Sequence, residues 1–284
     1  MTMTSPPIAG PSDEARRNHL TTLEALRGAV AHSAQMWRRV SDSGARVPGL
    51  DWTAGETAAH VIGDLRDYTE VLTRHAKGYQ THPDREPESP SRLSAQINAR
   101  HLSAVPERNL HRLAGLLEDS AQRYLAVASA VDSRGSILVP NGLVIGPSTM
   151  TGLLLGEQLI HSLDIARATN RMWSISPDDA SLVIPALLTA APSYLRRSRA
   201  HQRVSFELRI QGSPRYRMAV RDGAAVVTPA GERADCTITA DPVTFLLLGY
   251  GRISPWSPIL RGKVRPGGRK PWRAMTFGTL LSAP

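Results

Sequence analysis

Gly156-Glu157-Gln158-Leu159-Ile160-His161-Ser162-Leu163-Asp164 is the stretch on which the reading of this chain turns. Glu157 and His161 stand four residues apart, which on a helix places them on one face about one turn from each other. Leu153, Leu154 and Ile160 make that helix mostly core, where a carboxylate is costly unless it is paired or bound to a metal. A second stretch, Trp52-Thr53-Ala54-Gly55-Glu56-Thr57-Ala58-Ala59-His60, delivers another histidine from a different helix. Two histidines and one carboxylate are the ligand set of a catalytic zinc site whose fourth position is open. His60, Glu157 and His161 are therefore the candidate metal ligands. Taken singly each signal is weak, because the chain has nine histidines and a helix histidine is more often structural or exposed than a ligand. Asp164, almost one turn beyond His161, has two readings. It holds the imidazole by a hydrogen bond from behind, or it pairs with Arg167 or Arg171.

Around these stretches the first half reads as long amphipathic helices. Residues 12–42 start at Ser12-Asp13-Glu14 and carry Leu20, Leu23, Leu26, Val30 and Met36 at mostly helical spacing. Arg46-Val47-Pro48-Gly49 breaks the run. Thr53 and Glu56 then form a capping box for a second helix through Val61, Leu65, Tyr68 and Leu72, which aligns His60 with Glu56 and Asp64. The proline-rich stretch 82–91 is a loop, and a third helix is expected over 92–131, kinked near Pro106. Asn141-Gly142 between two short apolar runs predicts a hairpin, and a fourth helix runs over about 148–170. Four helices joined in this way suggest an antiparallel bundle, a fold that commonly builds metal sites from inward-pointing side chains.

Beyond about residue 175 the period changes. A helix from Pro177 to about 195 joins the halves, and Val204–Ile210 and residues 216–220 alternate as half-buried strands. Less regular strands follow at 224–228 and 236–239, then a helix capped by Asp241, a strand around 259–265 and a helix around 270–281. The expected class is α+β, with a helical bundle over 12–174, a connecting helix over 175–199 and a small α+β domain over 200–284. The charge divides at nearly the same place. Residues 196–284 hold 16 Lys/Arg against 5 Asp/Glu, whereas the preceding residues hold 18 against 20. A basic domain attracts anions. Arginine outnumbers lysine 31 to 3 and no nucleic-acid-binding signature is present, so an anionic small molecule is the expected partner and nucleic acid is not. The single cysteine, Cys236, excludes an intrachain disulfide and reads as a small core residue. The N-terminus has no signal-peptide pattern and no apolar run reaches membrane-spanning length, so a soluble cytoplasmic protein without a membrane partner is expected.

The two motif stretches resemble the mycothiol-dependent maleylpyruvate isomerase family, within the wider DinB-like metal-binding bundles. The first family motif stands here as Trp52-Thr53, Gly55 and Ala59-His60. The second, Glu-x-x-x-His-x-x-Asp, stands as Glu157, His161 and Asp164. The resemblance covers residues 12–170. It implies that His60, Glu157 and His161 bind a divalent metal, usually zinc, with mycothiol or a similar low-molecular-weight thiol as cofactor. Residues 235–252, followed by Leu260-Arg261-Gly262-Lys263-Val264, resemble the sterol carrier protein-like domain that often follows this bundle. There Gly251-Arg252 looks like the position from which the isomerase brings an arginine to its active site. The alternative for Arg252 is a cation favoured by the helix C-terminus.

The function expected from this resemblance is a metal- and thiol-dependent isomerase or S-transferase acting on a small, anionic electrophile, with Arg252 orienting the substrate. The alternative is a carrier whose C-terminal domain holds a hydrophobic ligand in a tunnel lined by Phe206, Phe245 and Leu247, the metal being structural or vestigial. A metal-binding regulatory protein is a third reading.

Overall fold

The computed structural model describes residues 11–79, 90–132 and 135–282. Its elements run α1 (Pro11–Trp37), α2 (Ala54–Ala76), α3 (Pro90–Ala104), α4 (Leu110–Ala130), β1 (Ile137–Leu138), β2 (Val144–Ile145), α5 (Pro147–Ala168) and α6 (Pro177–Ala190). After two short 3-10 turns come β3 (Val204–Ile210), β4 (Arg215–Arg221), β5 (Ala224–Pro229), β6 (Cys236–Ala240), α7 (Pro242–Gly249), α8 (Trp256–Leu260), β7 (Val264–Gly267) and α9 (Ala274–Leu280). The protein is thus α+β, helical in its first half and built on a sheet in its second.

Helices α1 and α2 each pack against both α4 and α5, which makes the four-helix bundle, and α3 lies against α2. The core fills the space between them with Leu26, Trp37, Ile62, Leu65, Leu113, Leu117, Tyr124 and Leu154, all 2% exposed or less. Helix α5 is buried nearly all round, as its composition demands, because α6 covers the face that the bundle leaves.

Helix α1 stops at Trp37 and not at 42: its last turn tightens, with the Arg39 N–H donating to Met36 O and the Val40 N–H to Trp37 O. The single kinked helix expected over 92–131 is two helices. Pro106 has no N–H to continue a helical ladder, and Asn109 caps a new helix by accepting from the Arg112 N–H at 3.2 Å. The hairpin at Asn141-Gly142 is present, with Gly142 at φ 81°, a left-handed conformation that suits glycine. The expected loop over 82–91 lies largely outside the described residues, and α3 already starts at Pro90.

The five-stranded sheet has the order β5-β4-β3-β6-β7, with β3 parallel to β6 and all other pairs antiparallel. The strand expected over 259–265 is a correction: Ile259 and Leu260 belong to α8, and β7 starts only at Val264. Leu260 is 84% exposed, so this short apolar run does not mark a buried strand. Cys236 is fully buried in β6, where burial pushes its thiol pKa up. Phe277 of α9 packs on Phe206 at 5.1 Å between ring centroids and on Phe245 at 6.3 Å. Phe277 thus packs against two of the residues that the carrier reading assigns to a tunnel lining. Helix α6 packs against both α5 and α7 and so joins the halves. Among the described residues, no helix is long and apolar enough to cross a membrane.

Candidate metal centre

The capping box sets the start of α2 and thereby the depth at which His60 enters the bundle. The Thr53 N–H donates to Glu56 at 2.8 Å and the Glu56 N–H to the Thr53 hydroxyl at 3.2 Å. Glu56, which the sequence register also allowed as a partner of His60, is committed to this cap. One turn further on, His60 is buried against α5.

The structure brings together the three residues proposed as ligands. His161 Nε2 lies 3.1 Å from Glu157 Oε2, and His60 Nε2 lies 3.7 Å from the same oxygen. One donor atom from each residue falls within 4.8 Å of the others. Both histidines are about 95% buried, and the ion-pair partners of Glu157 are these two imidazoles. Such a set of two neutral-capable nitrogens and one carboxylate oxygen fits a divalent ion of the zinc kind. The Trp52 ring lies over the pair, its centroid 5.0 Å from that of His60 and 6.3 Å from that of His161.

Asp164 resolves in favour of the imidazole. Its carboxylate is 3.1 Å from His161 Nδ1, and it accepts from Arg252 Nε at 2.9 Å and Nη2 at 2.8 Å. The two arginines that competed for it go elsewhere: Arg167 reaches the carbonyl of Arg252, and Arg171 the carbonyl of Arg39. Arg252 is thus at the site, where the resemblance puts it, but behind His161. Its remaining Nη1 donates to Tyr250 O at 2.7 Å. Tyr250 itself crosses onto α5, where its hydroxyl would meet a Cβ at Gly156 at 2.4 Å, so only glycine admits the ring beside Glu157.

Five neighbours had no site role in the sequence reading. His101, on α3, places Nδ1 3.3 Å from His60 Nδ1 and Nε2 2.9 Å from Asp67. Asp64, known only as a register neighbour of His60, lies 3.1 Å from His60 Nε2 and forms a second trio with His60 and His101. Tyr68 and Tyr194 stand close enough to Glu157 and Asp64 to feel their charge, and Tyr250 feels that of Glu157. The signal for His101 was Gly63, a glycine in the interior of a helix, which marks a close approach.

Burial opposes charge here, and the partners override it. Burial alone would raise the Glu157 carboxyl, but hydrogen bonds from His161 and His60 hold it below its ordinary value. Burial would lower His161, yet Asp164 and Glu157 push it up to about 9. A raised pKa stabilises the fold below the unfolded value of 6.5 and loses that contribution as pH climbs through about 9. The lowered Glu157 works in the other direction, its contribution fading only in acid. Chelator-treated protein is therefore expected to lose melting temperature between pH 6.5 and pH 9.5, relative to a His161→Gln variant. Parallel melting curves for the two proteins across that range would refute the pairing.

Residues 26–166 match the family described as mycothiol maleylpyruvate isomerase N-terminal domain. No curated protein matches the chain. Among solved structures, the crystal structure of the mycothiol-dependent maleylpyruvate isomerase is similar at a TM-score of 0.56 and 15% identity, covering 88% of this chain and 92% of that one. A histidine-to-alanine mutant of a mycothiol-dependent maleylpyruvate isomerase gives the same TM-score and coverage at 14% identity. These likenesses show a common fold over most of the chain. Through its helical half, which carries His60, Glu157 and His161, the chain belongs to the mycothiol maleylpyruvate isomerase N-terminal domain family.

Proposed function

We propose that the protein is a metal- and thiol-dependent enzyme of the isomerase or S-transferase kind, acting on a small anionic electrophile such as an unsaturated diacid. The observation that carries this reading is the convergence of His60 Nε2, Glu157 Oε2 and His161 Nε2, with the Nδ1 of each imidazole engaged on its far side. A zinc-type ion held by these three residues would supply charge that keeps a thiol such as mycothiol as its thiolate. The remaining work falls to the chain. Trp52 screens the two imidazoles from water on one side. The phenols of Tyr68, Tyr194 and Tyr250 are kept neutral by burial, Tyr194 at about 12, and serve as hydrogen-bond donors to an anionic substrate. Arg252 in this reading positions Asp164, and through it His161.

The division into a bundle over 12–174, a connecting helix over 175–199 and a sterol carrier-like domain over 200–284 is part of the same reading, as is a reducing cytoplasm. The convergence of the three donors supports the enzyme reading over the carrier. The test is conversion of maleylpyruvate or a related unsaturated diacid by zinc-loaded protein with and without mycothiol. Turnover is expected only with the thiol. Equal turnover in its absence would overturn the thiol mechanism.

A further inference from the structure

We infer that His101 is a positioning residue for the metal ligand His60, fixing which of its nitrogens is left free to bind; this rests on the metal site proposed above. His101 Nε2 faces Asp67 Oδ2 at 2.9 Å, and Asp67 is itself paired with Arg100. A carboxylate only accepts, so His101 carries its proton on Nε2 and presents a lone pair at Nδ1. That lone pair faces His60 Nδ1 at 3.3 Å and takes its proton in a hydrogen bond. His60 Nε2, which faces the carboxylates of Asp64 at 3.1 Å and Glu157 at 3.7 Å, is then the nitrogen left to bind an ion on the side where Glu157 and His161 stand.

The same plan holds the other histidine. His161 is backed at Nδ1 by Asp164, which Arg252 anchors. His60 is backed at Nδ1 by His101, which Asp67 and Arg100 anchor. Each ligand imidazole thus ends, on its rear side, in a carboxylate–arginine pair, and such outer partners set both ring orientation and basicity.

Gly63 is an independent sign that this approach is built in. A Cβ at that position would sit 2.3 to 2.6 Å from the His101 ring, so α2 accepts the imidazole only where it has no side chain. Glycine within a helix is otherwise unfavourable. The competing use of these residues is a cation site of their own, made by His60, Asp64 and His101. There His101 would bind through the Nδ1 that here faces His60 Nδ1 at 3.3 Å, giving up the hydrogen bond between the two rings, which the single-site reading keeps.

Zinc affinity, measured by competition with a chromogenic chelator, tests this on the full chain. His101→Phe fills the slot but offers no acceptor, and is expected to bind zinc roughly 10–100-fold more weakly. His101→Asn keeps an acceptor near the Nδ1 position and is expected to recover most of that loss. Histidine nitrogen NMR of the zinc-loaded wild type should show His60 protonated at Nδ1 and bound through Nε2. Unchanged affinity in a folded His101→Phe protein, or His60 bound through Nδ1, would overturn the inference. So would a second zinc per chain that His101→Phe abolishes. A wild-type chain that takes up no zinc would instead overturn the metal reading itself, so the two failures are distinguishable.

Discussion

Zinc content is expected to fall from about one ion per chain to none in a His60→Ala/His161→Ala double variant. The two imidazoles come from different helices, α2 and α5, and both face Glu157, so removing them leaves one carboxylate oxygen as the only protein donor of the trio. A single carboxylate does not hold a zinc-type ion against dilution. The size of the effect makes it decisive: metal analysis after extensive dialysis separates about one from about zero. Metal that stays in the double variant would move the site elsewhere, and the proposed function with it. Loss in the double variant but retention in His101→Phe would separate the ligands from the residue that positions them.

Arg252→Ala is expected to reduce stability as well as activity. Asp164 is 2% exposed at its side chain and accepts a fork of hydrogen bonds from Arg252, which is itself 16% exposed. Removing one partner of such a pair leaves a charge stranded against His161, at a cost of about 3 kcal/mol. For a chain of this size that corresponds to a melting temperature lower by roughly 5 °C. Zinc affinity is expected to weaken too, because Asp164 is the group that orients His161. This departs from the expectation of a substrate-binding arginine, whose loss would spare the metal. Arg252→Lys should recover only part of both effects, since an ammonium cannot reproduce the planar fork. Calorimetry and chelator competition on the same preparations measure both. Arg252→Ala with wild-type melting and wild-type zinc affinity would return Arg252 to the substrate side.

What could be read from the chain and what could not follow one line. His60, Glu157 and His161 were legible because two of them are a helical turn apart in a strongly apolar stretch and the third follows a capping box. The bundle was legible for the same reason, since period and caps are local. Asp164 was open between two readings, and the residue that decided it lies 88 positions away. His101 was invisible for a similar cause: its partners Asp67 and His60 sit on another helix, and only Gly63 hinted at an approach. Ile259-Leu260 misled because a short apolar run has no period of its own, and Pro255 and Pro258 before it favour a single helical turn over a strand.

The place of Trp52 gives the site an optical handle. Its indole centroid lies 5.0 Å from that of His60 and 6.3 Å from that of His161, and a protonated imidazole drains emission from a neighbouring excited indole where a neutral one does so far less. Since His161 holds its proton up to about pH 9 without an ion, filling the site exchanges a quenching cation for a coordinated ring. Occupancy can therefore be followed as light from the untagged chain, with no coloured metal and no added dye.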